Sequence, residues 1–275
     1  MKEQKIHIDV NLSVLRGELQ RALQRNIYLV AGGMVSSAET NEFNLRLPDA
    51  SLEAIFDSSL VWSVDEVRKN LCDWILQNGF RDSVECLTSF LESAHQVCSI
   101  WELALKQAEG ITIKGAHWQQ VMVTHKKQFH KLGFPDKLNH IENEHGMHVE
   151  PKLLQHILSI NVARNCLVHR FGVVGEKDVD NGKLIVGWRR MKLTTINESG
   201  EQEAVIGTFI EKGGTIEIKS VDEEKVFNIG NKISFTPKEF QHISWCLFLF
   251  GNALVEKMSR WGTSNGFLKS VALSA

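Results

Sequence analysis

The chain has 275 residues, 43% hydrophobic and 23% charged, with a formal net charge of −2. That size and balance allow a sizeable core without disulfides or metal. They exclude a dedicated nucleic-acid coat, which would be strongly basic, but not an enzyme that touches a few phosphates locally. The start, Met1-Lys2-Glu3-Gln4-Lys5, has no apolar signal core behind it. The longest apolar run, 245–251, falls far short of the roughly 20 residues of a membrane span. A cytoplasmic protein without membrane contact is expected. The cysteines at 72, 86, 98, 166 and 246 form no Cys-x-x-Cys pair and are expected to be reduced core residues.

A first helix is expected over 12–30, where Leu12, Leu15, Leu19, Leu23 and Ile27 fall at helical spacing, with Ala31-Gly32-Gly33 as its end. The polar stretch 36–49 reads as a loop. Ser63 and Glu66 form a capping-box pattern that opens a helix to about Leu76, and Asn78-Gly79 is a turn signal. Val84, Leu87, Leu91, Ala94, Cys98, Trp101 and Leu105 mark the next helix as a bundle seam. A helix over 117–132 stops at Gly133-Phe134-Pro135. The polar stretch 136–150 follows, with His140, His145 and His148. Their spacing matches no zinc pattern, so they are expected on a surface loop and no metal or other cofactor is expected.

Pro151 suits the first turn of a helix over 151–170, and Gly172 suits its end. The texture then turns β-rich at 184–186, 191–196, 205–210, 215–218 and 233–235, with turn signals between, which predicts an antiparallel sheet of three to five strands. Arg189, Arg190 and Lys192 beside Trp188 are expected on a solvated strand face, although basic residues with an aromatic can also bind single strands. Thr236, Pro237 and Glu239 open a closing helix to about Arg260. Its middle is apolar nearly all round, so it is buried in its own core or at a subunit interface.

The helix 151–170 carries the chemistry. At about 100° per residue, Leu153, Leu154, Ile157, Leu158, Ile160 and Val168 share one face. Asn161, Arg164 and Asn165 fall inside that face, and His169 at its edge. Gln155, His156, Ser159, Cys166 and Arg170 lie opposite. A cation and two amides on an apolar stripe need partners, because an unpaired buried polar group costs about 1–3 kcal/mol. A satisfied internal network is one explanation of that placement.

The string Arg164-Asn165-Cys166-Leu167-Val168-His169, followed by Arg170 and Gly172, offers another. It resembles the Arg-x4–6-His signature of the HEPN (higher eukaryotes and prokaryotes nucleotide-binding) superfamily, where Asn usually follows the Arg. The motif match covers 161–172, and the family-like helical context covers 63–172. The resemblance implies a mainly α fold: a HEPN-like helical bundle over 1–182, an appended antiparallel β addition over 183–236 and a closing helix over 237–260, in a single domain.

It also implies a metal-independent endoribonuclease that works as a homodimer with both motifs lining one cleft. Arg164, Asn165 and His169 are then the expected catalytic residues, and Asn161 and Arg170 the expected substrate-binding ones. RNA is cut without metal when its 2′-hydroxyl attacks the neighbouring phosphate. That needs an acid or base near neutrality, which His supplies, and a cation for the developing charge, which Arg supplies. A toxin or phage-defence setting, with an antitoxin or regulatory partner, is implied by resemblance alone. Phe171 stands where HEPN toxins modified by a nucleotidyltransferase partner carry Tyr, which speaks against that mode of control. The alternative is a HEPN module that binds RNA or a nucleotide, or only dimerises. A plain interaction protein is the third reading.

Overall fold

The computed structural model describes residues 10–39, 63–108, 115–197, 200–203 and 215–268. Among them it is mainly helical, with a small three-stranded antiparallel sheet and a C-terminal helix. The helices are α1 (Leu12–Glu39), α2 (Val64–Ala108), α3 (Gly115–His130), α4 (Phe134–Asn143), α5 (Pro151–His169) and α6 (Pro237–Ser264). The strands β1 (Lys183–Asn197), β2 (Gly200–Glu203) and β3 (Thr215–Asn228) lie in the order β2-β1-β3. No helix among the described residues is long and apolar enough to cross a membrane.

Both capping boxes form. Glu66 accepts from the Ser63 backbone at 2.8 Å and Glu239 from the Thr236 backbone at 2.7 Å. The helices run further than the glycines imply. Gly32, Gly33 and Gly79 all keep negative φ, so none supplies the left-handed step that ends a helix. Gly79 instead lets α1 approach α2: a Cβ there would lie 2.3 Å from Val30 Cγ2. Tertiary packing thus overrides the Asn78-Gly79 turn signal, and one 45-residue helix replaces two. Residues 36–39, read as loop, extend α1, and 40–49 lie outside the described residues. Pro135, read as a stop, is the first-turn proline of α4.

One buried apolar cluster includes Leu19, Leu87, Leu91, Ile157, Ile160, Leu247 and Leu254 from the helices and Val186 and Trp188 from β1. α6 is absorbed mostly into this core, and Trp245, 41% exposed, marks its outer side. β1 pairs with β3 along almost its whole length, from Lys183↔Asn228 to Ile196↔Thr215. The expected strand 205–210 lies outside the described residues. Residues 233–235 are not a strand. Ile233 is fully buried and Phe235 stacks on Phe80 with ring centroids 4.9 Å apart, so this segment plugs the core. The five cysteines are free, and Cys98, Cys166 and Cys246 are buried.

Candidate functional site at the end of helix α5

α5 starts on Pro151 and ends at His169. The backbone then turns back, and the Gly172 N–H, from a residue with φ +81°, donates to the Cys166 carbonyl at 3.0 Å. The helix packs against α2, α6 and β1. Its sequence-defined opposite face is not free. His156 is buried against Gly187 of β1, and Cys166 is buried beside Arg170 and Asp178. The Gly187 N–H, pointing away from β3, donates to Ser159 Oγ at 3.0 Å. His156 Nε2 lies 3.1 Å from Asp222 Oδ1 of β3.

Arg164 is half-buried and reaches sideways to α2. Its guanidinium donates to Glu85 Oε1 and, at 3.1 Å, to Asn165 Oδ1. Its Nε is buried without a partner among the described residues. The Arg164 side chain is 25% exposed and that of Glu85 49%, so the pair sits at the rim of the helix contact and not in the core. His169 is exposed and makes no hydrogen bond or ion pair among the described residues. Asn161, expected to bind substrate, is buried at 4% exposure. Arg170, also expected to bind substrate, is spent on Asp178 and on Cys166 Sγ at 3.4 Å. Its hydrogen bond to Cys166 heads the causes that raise its pKa.

Phe171 follows directly. It is 92% exposed and holds φ +53°, the left-handed region that disfavours a bulky side chain. The motif therefore splits. Arg164 and Asn165 face the α2 rim, while His169 and Phe171 stand in solvent.

Glu85 also lines a cleft of about 430 Å³ between α1 and α2, with Glu18, Asp82 and Arg25. Three carboxylates against one guanidinium make that cleft a poor host for phosphate within one chain. The strand cations are elsewhere. Arg189 pairs with Glu150 at 2.5 Å and Asp222 at 2.8 Å, and Arg190 with Glu223 at 2.6 Å and Glu203 at 2.9 Å. Trp188 is only 2% exposed. The expected solvated basic face is thus a half-buried ion-pair ladder. Neither arginine reaches Arg164.

Sequence reasoning missed Glu85 and Asp178. Asp178 could have been found from Gly175-Glu176-Lys177-Asp178, since Gly175 N–H donates to its Oδ2 at 2.8 Å in a local cap. Nothing in the sequence distinguishes Glu85 from its neighbours. Comparison of the chain with family models, with curated proteins and with solved structures returns no match.

Proposed function

We propose that this protein is a metal-independent endoribonuclease of HEPN type, acting as a homodimer on RNA. The observation that supports it best is the pairing of an unpartnered, exposed His169 with an exposed aromatic, Phe171, held in an unfavourable backbone conformation. Neither residue serves the core. Histidine is the side-chain type suited to acid–base chemistry, and Phe171 offers a stacking platform to an unpaired base. Arg164, oriented by Glu85 and Asn165, keeps further N–H donors for a phosphate oxygen. One motif leaves His169 and Arg164 on different sides of the helix end, so a second copy about a two-fold axis completes the cleft. A toxin or defence role, with an antitoxin or other regulator, belongs to the same reading. A cytoplasmic location does too.

The test is incubation of purified protein with total RNA in EDTA. Wild type is expected to cut RNA, to leave 2′,3′-cyclic phosphate ends and to spare DNA. Arg164→Ala and His169→Ala should each abolish cleavage with their folds intact by circular dichroism, and together should cost no more than either alone. Light scattering should give twice the 31.1 kDa chain mass. DNA cleavage, or full activity in His169→Ala, rejects the mechanism.

The Arg164–Glu85 pair favours a second reading, a plain interaction protein in which the motif is a structural strut between α2 and α5. Intact RNA with the wild-type protein, in EDTA and in magnesium alike, selects it.

A further inference from the structure

The histidines expected on a surface loop are gathered elsewhere. His140 lies on α4, and His145 is buried at 6% exposure in the turn before α5. Both meet His95, buried at 3% on α2, and one nitrogen of each of the three rings lies within 4.8 Å of the others. His95 Nδ1 is 2.8 Å from His145 Nε2. His145 Nδ1 is 2.5 Å from Glu102 Oε1 on α2. Phe129 stacks on His95 at 4.1 Å between centroids and meets the edge of His140 at 5.4 Å, so the rings are walled by an aromatic.

We propose that His95, His140 and His145 form a binding site for a divalent d-block cation of the zinc class, clipping α2 to the α4–α5 connection.

Three features carry this. First, the donor set is three imidazole nitrogens, which suit such ions and not calcium or magnesium. Second, Glu102 fixes the tautomer. A carboxylate accepts, so the His145 proton sits on Nδ1, and Nε2 accepts the His95 Nδ1 proton, which a bound ion would displace. This is the carboxylate–histidine arrangement that orients metal ligands. Third, the spacing is close to what an ion needs. At a Zn–N length of about 2.0–2.1 Å, tetrahedral ligands stand about 3.3 Å apart, between the 2.8 Å and 4.8 Å limits seen here.

Without an ion, the same cluster is awkward. His95 Nε2 is buried with no hydrogen-bond partner among the described residues, and three imidazoles crowd together. The nearby Lys137 ammonium is matched by Glu92 at 2.7 Å and does not stand as a lone charge against a cation. His140 is only half-buried, which leaves a way in. Three protein ligands leave a fourth position for water or another small donor. The site is distinct from His169 and does not depend on the nuclease reading.

The test uses the full chain, stripped with EDTA, dialysed and titrated with Zn2+. One ion per chain should survive gel filtration, and Co2+ in its place should give the visible absorption of a tetrahedral site. His140→Ala and His145→Gln should each weaken binding by about 100-fold or more, and Glu102→Gln by roughly 10–100-fold. His148→Ala, an exposed residue outside the cluster, should bind as wild type does. If His145→Gln fails to fold, His140→Ala and Glu102→Gln still decide. No stoichiometric zinc, or wild-type affinity in His140→Ala, overturns the proposal, whatever the protein does to RNA.

Discussion

Gly187→Ala tests whether the sheet is truly docked on α5. A Cβ at this position would sit 2.3 Å from His156 Nδ1 and 2.8 Å from its Cε1. To reach an ordinary contact of about 3.5 Å, the ring must withdraw by about 1 Å. It has nowhere to go, since His156 is 3% exposed and its far nitrogen lies 3.1 Å from Asp222. Overpacking of this kind costs about 1–3 kcal/mol. Displacing β1 also breaks the 3.0 Å bond from Gly187 N–H to Ser159 Oγ, for about 1 kcal/mol more. The sum, about 2–4 kcal/mol, predicts a fall in Tm of roughly 5–10 °C by circular dichroism. Adding His156→Ala opens room for the methyl, so the double variant should be more stable than additivity gives, by about 1–2 kcal/mol. A Gly187→Ala protein as stable as wild type, or strict additivity, would refute the docking argument.

Phe171→Gly should change stability by less than about 0.5 kcal/mol, since relief of the left-handed strain is offset by glycine's greater freedom when unfolded. It should still weaken binding of single-stranded RNA by roughly 10-fold or more in a fluorescence titration, because stacking is lost. Glu85→Gln should cost less than about 1 kcal/mol of stability, as expected of a pair at a solvent-exposed rim. On the nuclease reading it should lower KM for RNA by freeing guanidinium N–H groups of Arg164 for phosphate, and a loss above about 2 kcal/mol would instead mark a structural strut. Asp222 is held below its ordinary range first by its hydrogen bond to Arg189 and then by His156, against burial. Its stabilisation is therefore complete above about pH 4 and lost as pH falls through the lowered value. Urea midpoints at pH 7, 4 and 3 should fall with acid in wild type and fall less steeply in Asp222→Asn.

The class of the fold was legible because apolar spacing and caps agree with the packing. Thr236, Pro237 and Glu239 mark the start of α6 to the residue, and Pro151 does so for α5. Errors arose where a local signal met a tertiary contact. Gly79 looks like a turn only until Val30 is seen against it. The polar face of α5 looks solvated because its cover, β1 and β3, comes from strands that begin 14 or more residues later in the chain. The motif residues were legible as types and spacing. Their partners were not, since Glu85 is 79 positions from Arg164 and Glu102 is 43 from His145. Likewise His95 gives no hint, from its helix alone, that it meets His140 and His145.

Among the described residues β3 lies at the edge of the sheet and is 14 residues long, which is a template for adding another strand. Ile216 at 55% and Ile218 at 63% exposure would make such an addition adhesive. Glu217, Lys219, Asp222, Glu223, Glu224 and Lys225 work against it. An incoming copy laid antiparallel along Asp222-Glu223-Glu224 would bring two acidic runs together, with Arg189 and Arg190 already engaged on the inner side. Those charges oppose edge-to-edge pairing along a strand whose isoleucines remain exposed.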